Sequence, residues 1–279
     1  MLIFSILKDS IRSFRQDGCL TLSAAIAFYA ILSLIPFLYL LVSLIGLFVG
    51  SEGEALPQVS SYITKLIPFI SKIVLKEVGR INLGSGGFAW FALFFMLCAS
   101  TLIFGSIESS LKKVFEFENA RPFWVSKIMS LLFVPVAGLV FLLLQTFNLF
   151  VDAFIRLNTY FGITIIPVFL NNIFLKYVFP FALTFVLLTA LYALVPPGKP
   201  FIKQSMIGGF LCAALLEVAK HIFRWSVTHN PNYGLVYGSL NTIILMVLWL
   251  FYASAIFLFC AEIIAAYRKR RAELWRVGR

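Results

Sequence analysis

Charge is what this sequence has least of. Only 13% of its 279 residues are Asp, Glu, Lys or Arg, about half the share of a soluble domain. With 61% hydrophobic residues, 31 phenylalanines and a mean hydropathy of +0.96, that shortage excludes a soluble globular protein, a disordered chain and a collagen. Histidine is scarcer still. His221 and His229 are the only two, with no HxH, HxxxH or Asp-rich cluster, so metal-dependent hydrolysis lacks its ligands. GxSxG, GxxxxGK[ST] and GxGxxG are absent, which removes the usual nucleophile and nucleotide loops; Gly84-Ser85-Gly86-Gly87 has no following Lys-Ser/Thr and reads as a hinge. The four cysteines, Cys19, Cys98, Cys212 and Cys260, sit in or beside apolar runs without CxxC spacing, so neither a disulfide framework nor a metal site is indicated. No cofactor is implied. The N-terminal apolar run outlasts a signal-peptide core and does not look like a cleaved leader.

What remains is an all-α polytopic membrane protein. A span needs about 20 apolar residues to cross a core of about 30 Å, and charges mark the borders. Six spans are expected, at about 20–48, 88–107, 128–151, 177–195, 204–225 and 239–261, forming one membrane domain over 18–267 with an outside loop at 52–87. Residues 157–175 are uncharged but hold Asn158, Asn171 and Asn172, and unpaired amides are costly in lipid. They read as re-entrant or interfacial. Residues 1–17 form an amphipathic interfacial helix, with Ile3, Leu7, Ile11 and Phe14 at helical spacing and Lys8, Arg12 and Arg15 on the other faces. Within the outside loop, residues 55–80 carry an apolar stripe that lies on the membrane or caps the bundle.

The net charge of +11 reads as the positive-inside bias rather than as nucleic-acid binding. Residues 1–17, 108–127, 199–203 and 268–279 hold 15 of the 23 Lys and Arg, against eight on the opposite side. Both termini are therefore expected in the cytoplasm, the last as a basic tail over 268–279. Arg268, Lys269, Arg270 and Arg271 anchor that topology and can attract anionic lipid.

Three ordered motifs resemble the YihY/BrkB family of bacterial inner-membrane proteins. They are Leu22 to Tyr29 followed by Ser33-Leu34-Ile35-Pro36-Phe37; Leu215-Leu216-Glu217-Val218-Ala219-Lys220; and Tyr237-Gly238-Ser239-Leu240 through Leu248-Trp249-Leu250 to Cys260-Ala261-Glu262. The family usually has Gly where this chain has Cys260. The resemblance implies a six-span inner-membrane protein carrying a virulence or serum-resistance label and an older ribonuclease BN label, with envelope lipid transport as one proposed activity.

Glu217 is the sharpest chemical feature, because an acid inside a span should face protein or water and have a partner. Lys220 and His221 follow at i+3 and i+4, with Arg224 a turn beyond; Gly208 and Gly209 continue the same helix as a close-packing surface. One reading is a Glu–Lys pair that neutralises itself while Arg224 snorkels outward; the other is a polar cavity used by a substrate or proton. Gln145, Asn148 and Asp152 in span three, and Asn241 in span six, could join that cavity at similar depth. Ser23, Tyr29 and Pro36 interrupt span one and offer a helix break of the kind transporters use. Glu262 is expected to pair with the basic run that follows it. The function these residues favour is transport or flipping of an amphipathic envelope component, without enzymatic chemistry. The alternative is a non-catalytic scaffold holding an envelope-assembly partner on the 55–80 loop, and a ribonuclease comes last for want of ligands.

Overall fold

The computed structural model describes residues 2–33, 86–117, 124–126, 128, 129, 132, 178–196, 202–229 and 241–277. Regular structure among them is helical, and six helices carry the argument: α1 Leu2–Gln16, α2 Cys19–Ser33, α3 Gly86–Val114, α4 Phe179–Leu194, α5 Ile202–His229 and α6 Asn241–Val277. Ile202–Val227 and Ile243–Arg271 are each long and apolar enough to cross a membrane, and the α1–α2 pair passes the same test as one bent unit. The 16 residues of α4 rise about 24 Å, short of the roughly 30 Å core. Pro36, the 55–80 stretch and most of the third expected span, with Gln145, Asn148 and Asp152, lie outside the described residues, as do the 157–175 segment and Tyr237, Gly238 and Ser239.

Local chemistry sets the helix ends. α1 and α2 meet at 66° because Gly18 takes φ 65°, a left-handed conformation that glycine adopts without penalty. Gly18 closes α1 through its N–H to Arg15 O (3.2 Å) and opens α2 by accepting from Thr21 and Leu22 N–H (2.9 and 3.2 Å). At the end of α3 the same backbone turn is made by a non-glycine: Glu116 has φ 53°. There Phe117 N–H reaches Lys112 O and Glu116 N–H reaches Lys113 O, both at 3.1 Å, a Schellman closure. Pro180 sits in the first turn of α4, where its missing N–H costs nothing.

α6 is the axis of the assembly, packing against α1, α3 and α5, while α4 lies along α5. The shared core gathers Phe104 and Leu111 from α3, Tyr192 from α4, Cys212 from α5 and Leu258 and Ala261 from α6, all essentially inaccessible. Tyr192 stacks on Phe257 at 4.8 Å and donates its hydroxyl to Phe257 O at 2.7 Å, which satisfies a phenol that would otherwise be buried without a partner. Two glycines let the helices close in. A Cβ on Gly208 would lie 2.1 Å from Ile264 Cδ1, and one on Gly209 would lie 2.3 Å from Thr189 Oγ1.

Two expectations need correcting. The apolar stripe of α1 is divided: Ile6, Ser10 and Phe14 face the bundle, Phe14 edge-on to Phe259 at 5.8 Å, while Leu7 and Ile11 are exposed beside Phe4. Lateral packing against α6 claims one side of the helix and leaves a second apolar strip free. Glu262 does not pair with the basic run. Its i+3 and i+4 neighbours are Ala265 and Ala266, so no cation shares its turn, and its buried carboxyl group accepts instead from Cys19 Sγ at 3.4 Å.

The basic run is held by other elements. Arg268 lies over the rings of Phe115 and Phe117, 5.7 and 5.5 Å from their centroids. Lys269 meets Glu116 at 2.6 Å. Arg270 donates to Asp9 at 2.9 Å and to Ser5. The α6 helix runs without a break through all these residues to Val277.

Candidate functional site

α5 presents three surfaces, fixed by helical periodicity. Ser205, Gly208, Gly209, Cys212 and Ala213 are buried against α4 and α6. Ile207, Val218, Ile222 and Trp225 form an exposed apolar surface. Between the two runs a polar strip of Glu217, Lys220, His221 and Arg224. Toward the start of α5 this side carries the exposed Phe210, with the rings of Phe181 and Phe185 of α4 edge-on at 5.7 and 6.2 Å.

Glu217 Oε2 lies 2.5 Å from Lys220 Nζ, and Glu217 Oε1 lies 3.9 Å from His221 Nε2. The side chains of Glu217 and Lys220 are 38% and 48% exposed. If Ile202–Val227 is centred in a bilayer, Glu217 falls about 4 Å and Lys220 about 8 Å from the midplane, and Arg224 about 14 Å out, at 1.5 Å per residue. The first two are then inside the hydrocarbon.

Magnitudes decide what such a pair requires. An i,i+3 ion pair stabilises a helix by about 0.2–0.5 kcal/mol. Placing one charge at the centre of a bilayer costs about 2.5–3.5 kcal/mol on insertion scales. The pair therefore cannot offset its own insertion, and its accessible faces need polar atoms or water. A carboxylate beside an ammonium can meet the opposite charges of a zwitterionic or anionic headgroup, or exchange a proton.

The structure locates the other singled-out residues as follows. Asn241 is the first residue of α6, its side chain outside the description. Trp249 packs on Phe223 of α5 at 5.4 Å. Ser23 is buried and donates to Cys19 O at 2.7 Å, and Tyr29 lies edge-on to Phe28 at 5.6 Å. Among the described residues no three His, Cys, Asp or Glu side chains lie close enough to hold a metal ion.

Sequence reasoning passed over one buried polar group, Thr189, and missed the partner of another, Glu262. Thr189 Oγ1 is buried with no hydrogen-bond partner, directly opposite Gly209. The Cys19–Glu262 contact joins residues 243 positions apart. The available signal was local: an acid among alanines, with no cation at i+3 or i+4, has to find its donor on another helix.

Comparison with known proteins bears on the whole chain. The sequence profile of the family described as Virulence factor BrkB matches residues 10–276. A UPF0761 membrane protein of Pseudoalteromonas translucida is 24% identical over 258 residues, covering 92% of this chain and 84% of the relative. One from Alkalilimnicola ehrlichii is 24% identical, covering 95% of this chain and 59% of its own length. Another from Legionella pneumophila is 25% identical, covering 92% and 60% respectively. The chain thus spans about three fifths of the length of the last two. No solved structure matches. With the profile covering nearly every residue and apolar helices long enough to cross a bilayer, the chain belongs to the YihY/BrkB family of integral membrane proteins.

Proposed function

We propose that this protein moves an amphipathic envelope component across or within the bacterial inner membrane, using a polar path past Glu217 and Lys220. In this reading the chain crosses the membrane six times with both termini in the cytoplasm, and it catalyses no covalent chemistry. The observation that supports the path is the half-open Glu217–Lys220 pair within Ile202–Val227, a helix apolar and long enough to span. A purely structural pair would be best placed at the helix end, where water screens it; this one sits near mid-helix, beside the exposed Val218 and Ile222. A substrate with a charged headgroup and apolar tails matches that neighbourhood, because the polar strip and the lipid-facing surface adjoin along the same turns.

Translocation of headgroup-labelled lipids in vesicles carrying the purified full chain tests the reading. Glu217→Gln and Lys220→Gln are expected to lower the rate at least ten-fold while leaving insertion and thermal stability close to wild type. Wild-type rates in both variants would overturn it and leave the scaffold reading.

A further inference from the structure

The run Arg268–Arg271 is the obvious place for anionic lipid, yet most of it is engaged inside the protein. Arg268 is over two aromatic rings, Lys269 is on Glu116 and Arg270 is on Asp9 and Ser5. The arrangement on α1 is the reverse. Lys8, Arg12 and Arg15 are exposed, and no ion pair among the described residues uses them. They line one edge of the helix at i, i+4 and i+7. Beside them runs the strip of Phe4, Leu7 and Ile11, exposed by 76%, 41% and 48%. The opposite side of the helix is committed to the bundle through Ile6, Ser10 and Phe14.

We propose that α1 is an anionic-lipid binding arm. Lys8, Arg12 and Arg15 bind the phosphates of negatively charged headgroups, and Phe4, Leu7 and Ile11 enter the acyl boundary beside them. Three observations select a lipid surface over a soluble anion or a nucleic acid. The basic and apolar strips are contiguous, which suits an interface with charge on one level and oil just beneath. The arm is joined to α2 by the short Asp17-Gly18 turn, and the pair together has the apolar length of a membrane segment bent by 66°. The rotation of α1 about its own axis is set by the protein: Arg270–Asp9 at 2.9 Å and Phe14–Phe259 at 5.8 Å fix the inward side, so the lipid-binding side is presented before any lipid arrives. A basic residue near an anionic surface is worth about 1 kcal/mol, roughly a five-fold gain in occupancy. Three make the arm selective for negative lipid.

The test uses the full chain in phosphatidylcholine vesicles with trace photoactivatable phosphatidylglycerol or photoactivatable phosphatidylcholine, followed by mass spectrometry of crosslinked peptides. Labelling of residues 2–16 by the phosphatidylglycerol probe is expected to exceed that by the phosphatidylcholine probe about five-fold or more. The triple variant Lys8→Gln, Arg12→Gln, Arg15→Gln should abolish that excess, while Lys8→Arg, Arg12→Lys, Arg15→Lys keeps it. Arg271→Gln should also leave it intact. Equal labelling by the two probes, an unaffected triple Gln variant, or loss of selectivity in the charge-preserving variant would each overturn the proposal. Lipid translocation is not measured, so failure here leaves the transport reading standing.

Discussion

A methyl group on Gly209 would meet Thr189 Oγ1 at 2.3 Å and the Thr189 backbone N at 3.0 Å, whereas one on Gly105 would meet nothing within 4 Å. The same substitution therefore has opposite signs at two helical positions. Gly209→Ala forces α5 away from α4 and should cost about 1–3 kcal/mol, the range for overpacking. Gly105→Ala removes only backbone freedom and should stabilise by about 0.5–1 kcal/mol. Thermal unfolding in detergent reads both. At Glu262 the prediction concerns non-additivity. Removing its thiol donor with Cys19→Ala deletes a buried hydrogen bond and should cost about 0.5–1.5 kcal/mol. Adding Glu262→Met, which removes the acceptor as well, should recover part of that loss, and a double variant less stable than both singles would refute the pairing. At this scale the sequence was legible wherever partners share a helix: Glu217, Lys220 and His221 are three and four residues apart and do meet. It was silent where partners are far apart in the chain, as for Glu262 and Cys19, or Arg270 and Asp9.

At the scale of elements, composition identified the apolar helices but not their limits. Charge ends the sixth expected span at about 261, whereas the helix α6 continues to Val277, because Arg, Lys, Glu and Ala propagate a helix as well as Leu does. The extension has a use. It brings the basic run to α1 and the end of α3, tying three chain segments at one end of the assembly. Arg270→Ala removes both tethers to α1. Hydrogen exchange in residues 2–16 should rise by at least ten-fold in that variant, with residues 202–227 unchanged. Uniform exchange across both regions would show that the latch does not hold α1 separately. The division of α1 into inward and outward apolar strips was not legible from periodicity, which reports that a face is apolar but not how many neighbours share it.

The whole molecule is a YihY/BrkB-family membrane protein that carries a charged strip on one of its apolar helices. The family was legible because its motifs are contiguous stretches, such as Leu215 to Lys220 and Cys260 to Glu262. The path was not, because a helical strip says nothing of what faces it. The measurement that bears most directly is the water accessibility of that strip in the bilayer. In a Cys98→Ser background, where Cys19, Cys212 and Cys260 are buried, Glu217→Cys should react with a membrane-impermeant thiol reagent in vesicles carrying the full chain. Ile222→Cys, on the neighbouring apolar surface, should stay inert. A Glu217→Cys thiol as unreactive as the one at 222 would contradict the polar path.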